Sequence, residues 1–524
     1  MPHMNPAAPD ESDPIDPLHV VVIVLAVATI AAGFLVLSAA ESPTPVDGAV
    51  AWHQESPLRA VVALLCLKYA WPTVYAGDVK NLALAVGAGL ILVTLSIGLI
   101  AGRRNDSGSN APATPPGNTD VGHGTPRPRT RALMRTQVTP LAAAQAMAVL
   151  YLLWSFASSR WSRAPDLALG GSILLTIQLL WAGVLGMGLR PAAATVVCRG
   201  MMVVTAVTAG VAVWYYYGRN PTLDAKFPFG NPIFLATCLT PGLLLTGTRA
   251  IEHGAGFRRT GGRRHVVGLA CAVGAIALGL WAFLLTRHEP LTLGGIAIPV
   301  GKRGPTFGGV IGLLAVAFFA MRGRRRAVPA MLAVGLTVAG WFAIARQEQA
   351  ASPRGGGATI TCRRYAWSYA LRLFEQQPWK GHGQAGFVLA GDALAVNDVE
   401  RDPQALATRL AHAHNEWLEV MADLGSVGLV LLLAVLLLTL DAGMVAIDAS
   451  PHASHRWALI GLMASLVALI VDACFDPGLR VSGVPTVFYG VLGLIWALAR
   501  PGNTPAPRRS RLPRGMRIGA GAVG

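Results

Sequence analysis

Apolar blocks about 18 or more residues long, nearly free of charge, recur along the whole chain and leave few choices of fold. Lipid offers no partner to a bare backbone N–H or C=O, so each block must close its hydrogen bonds within itself as a helix. The blocks run from Val20 to Ala40, Leu82 to Ala101, Pro140 to Ala157, Leu167 to Leu189, Ala193 to Tyr215, Ile233 to Thr248 and Val266 to Thr286. They continue from Phe307 to Met321, Val328 to Ala345, Ser426 to Met444, Trp457 to Val471 and Pro485 to Leu498. Leu58 to Tyr75, broken by Lys68, Trp71 and Pro72, suits either a span or an interfacial piece. The expectation is an all-α, polytopic bundle of about 12 spans. Only 7% of residues are aromatic and no segment alternates with period two, which argues against an outer-membrane barrel.

The net charge of +16 sits in short loops and the C-terminal tail, where it reads as a topology signal and a contact for anionic lipid rather than for nucleic acid. The first 17 residues lack the basic start of a secretory signal. Placing the arginine-rich tail, 500–524, in the cytoplasm puts Arg322 to Arg326, Arg258 to Arg264 and the flexible linker 102–137 on the same side. The membrane bundle then occupies 18–345 and 426–499, and 346–425 forms an extracytoplasmic domain. In that domain Tyr365, Ala366, Tyr369, Ala370, Leu373 and Phe374 recur at helical spacing, as in a helix lying on the membrane face or packed on the bundle. A second helix is expected to begin near Ala411 and to run on past Gly425. Cys362 and Cys474 are the two cysteines placed to meet an oxidising compartment, which leaves a disulfide between them open. Asp472 and Asp476 lie at a helix boundary, where carboxylates face water.

The polar segment His412-Ala-His414-Asn415-Glu416-Trp-Leu-Glu419, followed by Gly425 and Gly428, stands at the mouth of a membrane helix. It resembles the signature of the O-antigen ligase and polymerase superfamily. Upstream, Arg363 to Gln377 and Gly381-His-Gly383 resemble the family's arginine-rich helix and Gly-x-Gly turn. Phe229-Gly-Asn231-Pro232, Lys302-Arg303-Gly304 with Phe307-Gly-Gly, and Trp161-Ser-Arg-Ala-Pro165 resemble three further family motifs in the family's order.

The resemblance implies a GT-C-like bacterial inner-membrane glycosyltransferase that uses no cofactor or metal. It takes a glycan from undecaprenyl diphosphate on the outer face, and the acceptor is lipid A core, the growing glycan, or a protein hydroxyl. The chemistry calls for cations that hold a departing diphosphate and a group that takes the acceptor's proton; arginine and histidine suit these tasks. Carried over by motif, His414 and Arg303 are the catalytic candidates. Arg219, Lys226, Asn231, Arg363, Arg364, His412, Asn415 and Glu419 are the candidates for substrate binding. Lys302 stands where the family has serine, and Asp224 lies where it has a second arginine.

Bland alternatives stand beside these roles. Arg303 at a membrane boundary can simply snorkel to lipid phosphate, and Glu419 can cap or orient its neighbours. His412, His414 and Glu416 diverge if they share one helix, which disfavours zinc. Gly381 to Gly386 spells a dinucleotide fingerprint without the strand–helix unit it requires. A secondary transporter would show paired broken helices in two similar halves, and no such repeat is visible.

Overall fold

A computed structural model describes residues 139–219, 224–226, 229, 231–287, 291–293, 296–298, 301–337, 357–398, 412–450, 452–480 and 483–500. The expected spans before residue 138, the linker and both tails lie outside these residues, as does 338–345 of the span from Val328. The rest is almost wholly helical, with one antiparallel hairpin of Leu291–Leu293 and Ile296–Ile298.

The helices are α1 Pro140–Ala157, α2 Pro165–Gly188, α3 Pro191–Arg219, α4 Pro232–Thr260, α5 Arg263–Leu284 and α6 Arg303–Ala320. They continue with α7 Gly357–Gln376, α8 Gly386–Asp398, α9 Glu416–Ala449, α10 Ala453–Asp472 and α11 Val484–Leu498. Eight of these, α1 to α6, α9 and α10, are long and apolar enough to cross a bilayer, and α11 is a shorter apolar helix. Proline opens α1 to α4 at a position whose N–H has no helical partner to lose. The outward faces carry large apolar side chains such as Leu153, Trp214, Val430 and Leu437, all more than half exposed, as a lipid solvent requires. The chain is a multi-pass helical membrane protein.

Helices in lipid gain nothing from hydrophobic burial against one another and associate through close contact of small residues. Gly304, Gly308 and Gly312 form such a stripe on α6, against Ala464, Ala468 and Asp472 of α10. A methyl group built on Gly308 would stand 2.5 Å from the Ala468 carbonyl oxygen. We expect Gly308→Val to cost about 1–3 kcal/mol through overpacking. It should also lower the melting temperature of the purified protein and separate the helix ends that carry Gly304 and Asp472.

Helices α7 and α8 pack through apolar side chains. One face of α7, with Ala366, Tyr369, Ala370 and Leu373, packs on Phe387, Ala390 and Leu394 of α8 and on Ala413 and Ala422. Of the two readings of this amphipathic helix, packing on the protein is the one observed. Helix α9 begins at Glu416 rather than near Ala411. Asn415 accepts hydrogen bonds from the N–H groups of Trp417 and Leu418 at 3.1 and 3.2 Å and so ends the preceding segment. His412 and His414 therefore precede the helix and do not share its face.

Helix α9 is interrupted at Gly425, whose φ of 67° suits glycine, and the Gly381 turn crosses the break. A side chain at Gly381 would strike the Asp423 carbonyl, and one at Gly425 would strike that of Trp379. The amides of His382 and Gly383 donate to the carbonyls of Ala422 and Asp423 at 2.9 and 2.8 Å, and Ser426 N–H donates to Pro378 O at 2.8 Å. The glycines thus let two backbones meet where α9 frees its carbonyls, which explains the Gly-x-Gly turn without a nucleotide.

Candidate functional site

Two of the recognised motifs are joints. Trp161 Nε1 donates to Lys380 O at 3.2 Å, and the Ser158 hydroxyl accepts from Gln384 N–H at 2.9 Å, so the Trp-Ser loop clasps the Gly381 turn. Asn231 accepts from Ile233 N–H at 2.8 Å and caps α4 one residue before Pro232. Asn231 and Asn415 therefore both act as helix caps here.

The carboxylates Glu416, Glu419 and Asp423 recur at i, i+3 and i+7 on the buried face of α9, and all three meet Arg480. Arg480 Nε lies 2.9 Å from Glu416 Oε1 and 3.3 Å from Glu419 Oε1, while Nη1 lies 2.6 Å from Asp423 Oδ2. Burial alone would lower the Arg480 pKa. The three carboxylates outweigh it and hold the guanidinium well above its ordinary value. Each carboxylate has a further task. Asp423 accepts from Ala385 and Phe387 N–H at 3.1 and 2.7 Å, which caps α8. Glu419 accepts from Ala413 N–H at 2.8 Å and from His412 Nδ1 at 2.8 Å.

For His412, burial disfavours the charge, but the hydrogen bond and charge of Glu419 prevail and raise its pKa. The ion pair then contributes stability in full below the ordinary histidine value of about 6.5, and the contribution is lost as pH rises through the raised value. Melting of the detergent-solubilised protein should therefore show a fall in stability above about pH 6.5 that Glu419→Gln flattens. An unchanged slope in that variant would remove His412 from this role.

The second half of the site lies where α6, α9 and α10 meet. Glu416 N–H donates to Ala473 O at 2.8 Å and Trp417 Nε1 contacts Cys474 Sγ at 3.2 Å, so the start of α9 sits on the turn that ends α10. Cys474 carries a free thiol, which removes the disulfide to Cys362. Asp472 and Asp476 are 5% and 4% exposed, so the expectation that they face water is wrong. Both are enclosed because Gly304 has no side chain: a Cβ there would stand 2.7 Å from Asp472 Oδ1 and 3.3 Å from Asp476 Oδ2. Phe307 packs edge-on against Phe475 between them, with ring centroids 5.7 Å apart.

Asp476 gathers the basic groups. Its Oδ1 accepts from Arg363 Nη2 at 3.1 Å and lies 3.7 Å from His414 Nδ1. Asp472 accepts from the Thr237 hydroxyl of α4 at 2.6 Å, and its Oδ1 has no partner among the described residues. Arg303, exposed in the first turn of α6, is within electrostatic reach of Arg287 and Arg363. Asp476 thus meets Arg363 and His414, and Arg303 adds positive charge beside Arg363. His414 adopts a positive φ of 51°, a conformation that costs a non-glycine residue on the order of 1 kcal/mol or more. It lies between Ala413, held by Glu419, and Asn415, which caps α9.

Arg303, His414 and Arg363 are therefore brought together, with His412 and Glu419 directly behind the segment that carries His414. Arg364 is exposed and stacks on Tyr365 at 5.9 Å, apart from this group. Lys226 is exposed next to Ala225, whose N–H donates to Leu285 O at 2.8 Å. The side chain of Arg219 lies outside the described residues. Lys302 and Asp224, the two departures from the family pattern, form an ion pair with each other.

Sequence reasoning missed Arg480 and the use of Asp476. The available signals were the i, i+3, i+7 spacing of three carboxylates and a single arginine in the short loop between two apolar helices, which needs an anionic partner. No curated protein matches the chain. Residues 291–433, which hold Arg303, Arg363 and His414, match the O-antigen ligase family model. Over these residues the chain is similar to O-antigen ligases, and the match falls on a helical membrane bundle.

Proposed function

We propose that the protein transfers a glycan from undecaprenyl diphosphate to an acceptor hydroxyl at the outer face of the bacterial inner membrane, in the manner of an O-antigen ligase. The observation that carries this reading is that His414 and Arg363 meet at one buried carboxylate, Asp476, with Arg303 within electrostatic reach of Arg363. The donor's lipid chain lies in the membrane and its diphosphate at the boundary, where Arg303 and Arg287 meet its negative charge. As the acceptor oxygen bonds to the anomeric carbon, the bond from that carbon to the phosphate oxygen breaks and the diphosphate leaves with the electron pair. Arginine stabilises this charge without losing its own.

The acceptor's proton passes to His414 Nε2, while Asp476 faces Nδ1 and favours the tautomer with the proton there. His414 then releases the proton to water. Arg363 pairs with Asp476 from the other side and so holds that carboxylate in place. The test is glycolipid and surface-polymer analysis in a strain carrying Arg303→Ala in place of the wild-type gene. Transfer should fall by about 10²–10³-fold at unchanged protein level, with lipid-linked polymer accumulating. Accumulation of single unpolymerised repeats instead would indicate a polymerase, and full activity would reject the assigned donor site.

A further inference from the structure

At the opposite, basic end of the bundle, α3, α4 and α10 line a small cleft. Arg199 of α3 and Arg249 of α4 both line it, and each lies within electrostatic reach of the other. Glu252 pairs with Arg249, one helical turn back, and no ion pair among the described residues engages Arg199. The cleft thus carries a surplus positive charge between two like-charged groups, an arrangement that an anion between them would relieve. Met202, Leu245 and Trp457 supply apolar walls, and the Ser454 hydroxyl stands in the first turn of α10. His452 gives that helix end no side-chain cap, so its first N–H groups add to the positive potential.

We propose that this cleft binds the phosphate headgroup of an anionic membrane phospholipid. The chains have a path, because Val203 and Val207 on α3 are 62% and 58% exposed beside the cleft, on a lipid-facing surface. The end of the bundle also agrees. Arg258, Arg259, Arg263 and Arg264 lie at the same end as Arg249, and by the positive-inside rule this is the face that meets anionic lipid. The cleft is therefore separate from the transfer site and would tie the transfer bundle to the lipid composition of the inner leaflet.

The test is native mass spectrometry of the full chain titrated with phosphatidylglycerol, phosphatidylcholine or inorganic phosphate. The wild-type protein should retain phosphatidylglycerol in preference to phosphatidylcholine. Arg199→Gln with Arg249→Gln should weaken that retention about thirtyfold, while Lys at both positions should keep most of it. Arg199→Gln alone leaves the Arg249–Glu252 pair intact, so a partial loss in this variant, with normal glycan transfer, would separate binding from folding. Equal retention by the wild type and the double Gln variant would overturn the site. Displacement of the lipid by equimolar inorganic phosphate would instead assign the cleft to a soluble anion and overturn the lipid assignment.

Discussion

Replacing His414 with alanine is expected to lower glycan transfer by about 10²–10⁴-fold, the span that a positioned general base contributes. The loss should fall on turnover, because Arg303, Arg287 and Arg363 remain to hold the donor, so donor binding should change little. His414→Asn keeps a polar group of similar size and should be nearly as inactive if proton transfer is the role. Asp476→Asn should cost less, since it removes only the charge that faces His414 Nδ1. Transfer assayed with purified protein and lipid-linked donor reads both effects, and wild-type turnover by His414→Asn would refute the base.

The second large effect is structural and lies at Arg480. Arg480→Met removes the cation that Glu416, Glu419 and Asp423 share, all three buried in the first turns of α9. Breaking a buried ion group by removing one partner costs about 3–5 kcal/mol, because the remaining charges stay desolvated. The damage should spread in a definite order. Asp423 loosens α8 and the Gly381 turn, Glu419 loosens Ala413 and His412, and His414 follows. Hydrogen exchange should therefore rise in residues 381–390 and 412–419 while the α6–α10 contact stays protected. Melting unchanged from the wild type would show that the hub carries no stability.

Particular residues show what the sequence made legible. The spans were readable because lipid forces each apolar block to be a helix, and Pro140 to Ala157 emerges with those same bounds. The glycines near His414 were visible as a motif, but their purpose was not: Gly381 and Gly425 are needed because two distant backbones cross there. Local signals placed Asn415 beside the catalytic segment and not as the cap that ends it. The start of α9 was accordingly set too early. The position of Asp472 and Asp476 at a helix end points to water. Their burial depends on Gly304, about 170 residues earlier in the chain, and long-range approach of this kind leaves no periodicity to read. The pairing of Lys302 with Asp224 is similar. Each looked like a loss when taken alone, and together they exchange partners across 78 positions.

The central claim is that Arg303 and His414 line one cationic pocket that receives a polyprenyl diphosphate. A cryo-electron microscopy map of the protein bound to a non-hydrolysable undecaprenyl diphosphate glycan tests it most directly. We predict phosphate density within about 3 Å of the Arg303 guanidinium, with the anomeric carbon between it and His414 Nε2. Diphosphate density on another face of the bundle, with Arg303 turned to lipid and His414 away from the sugar, would contradict the account.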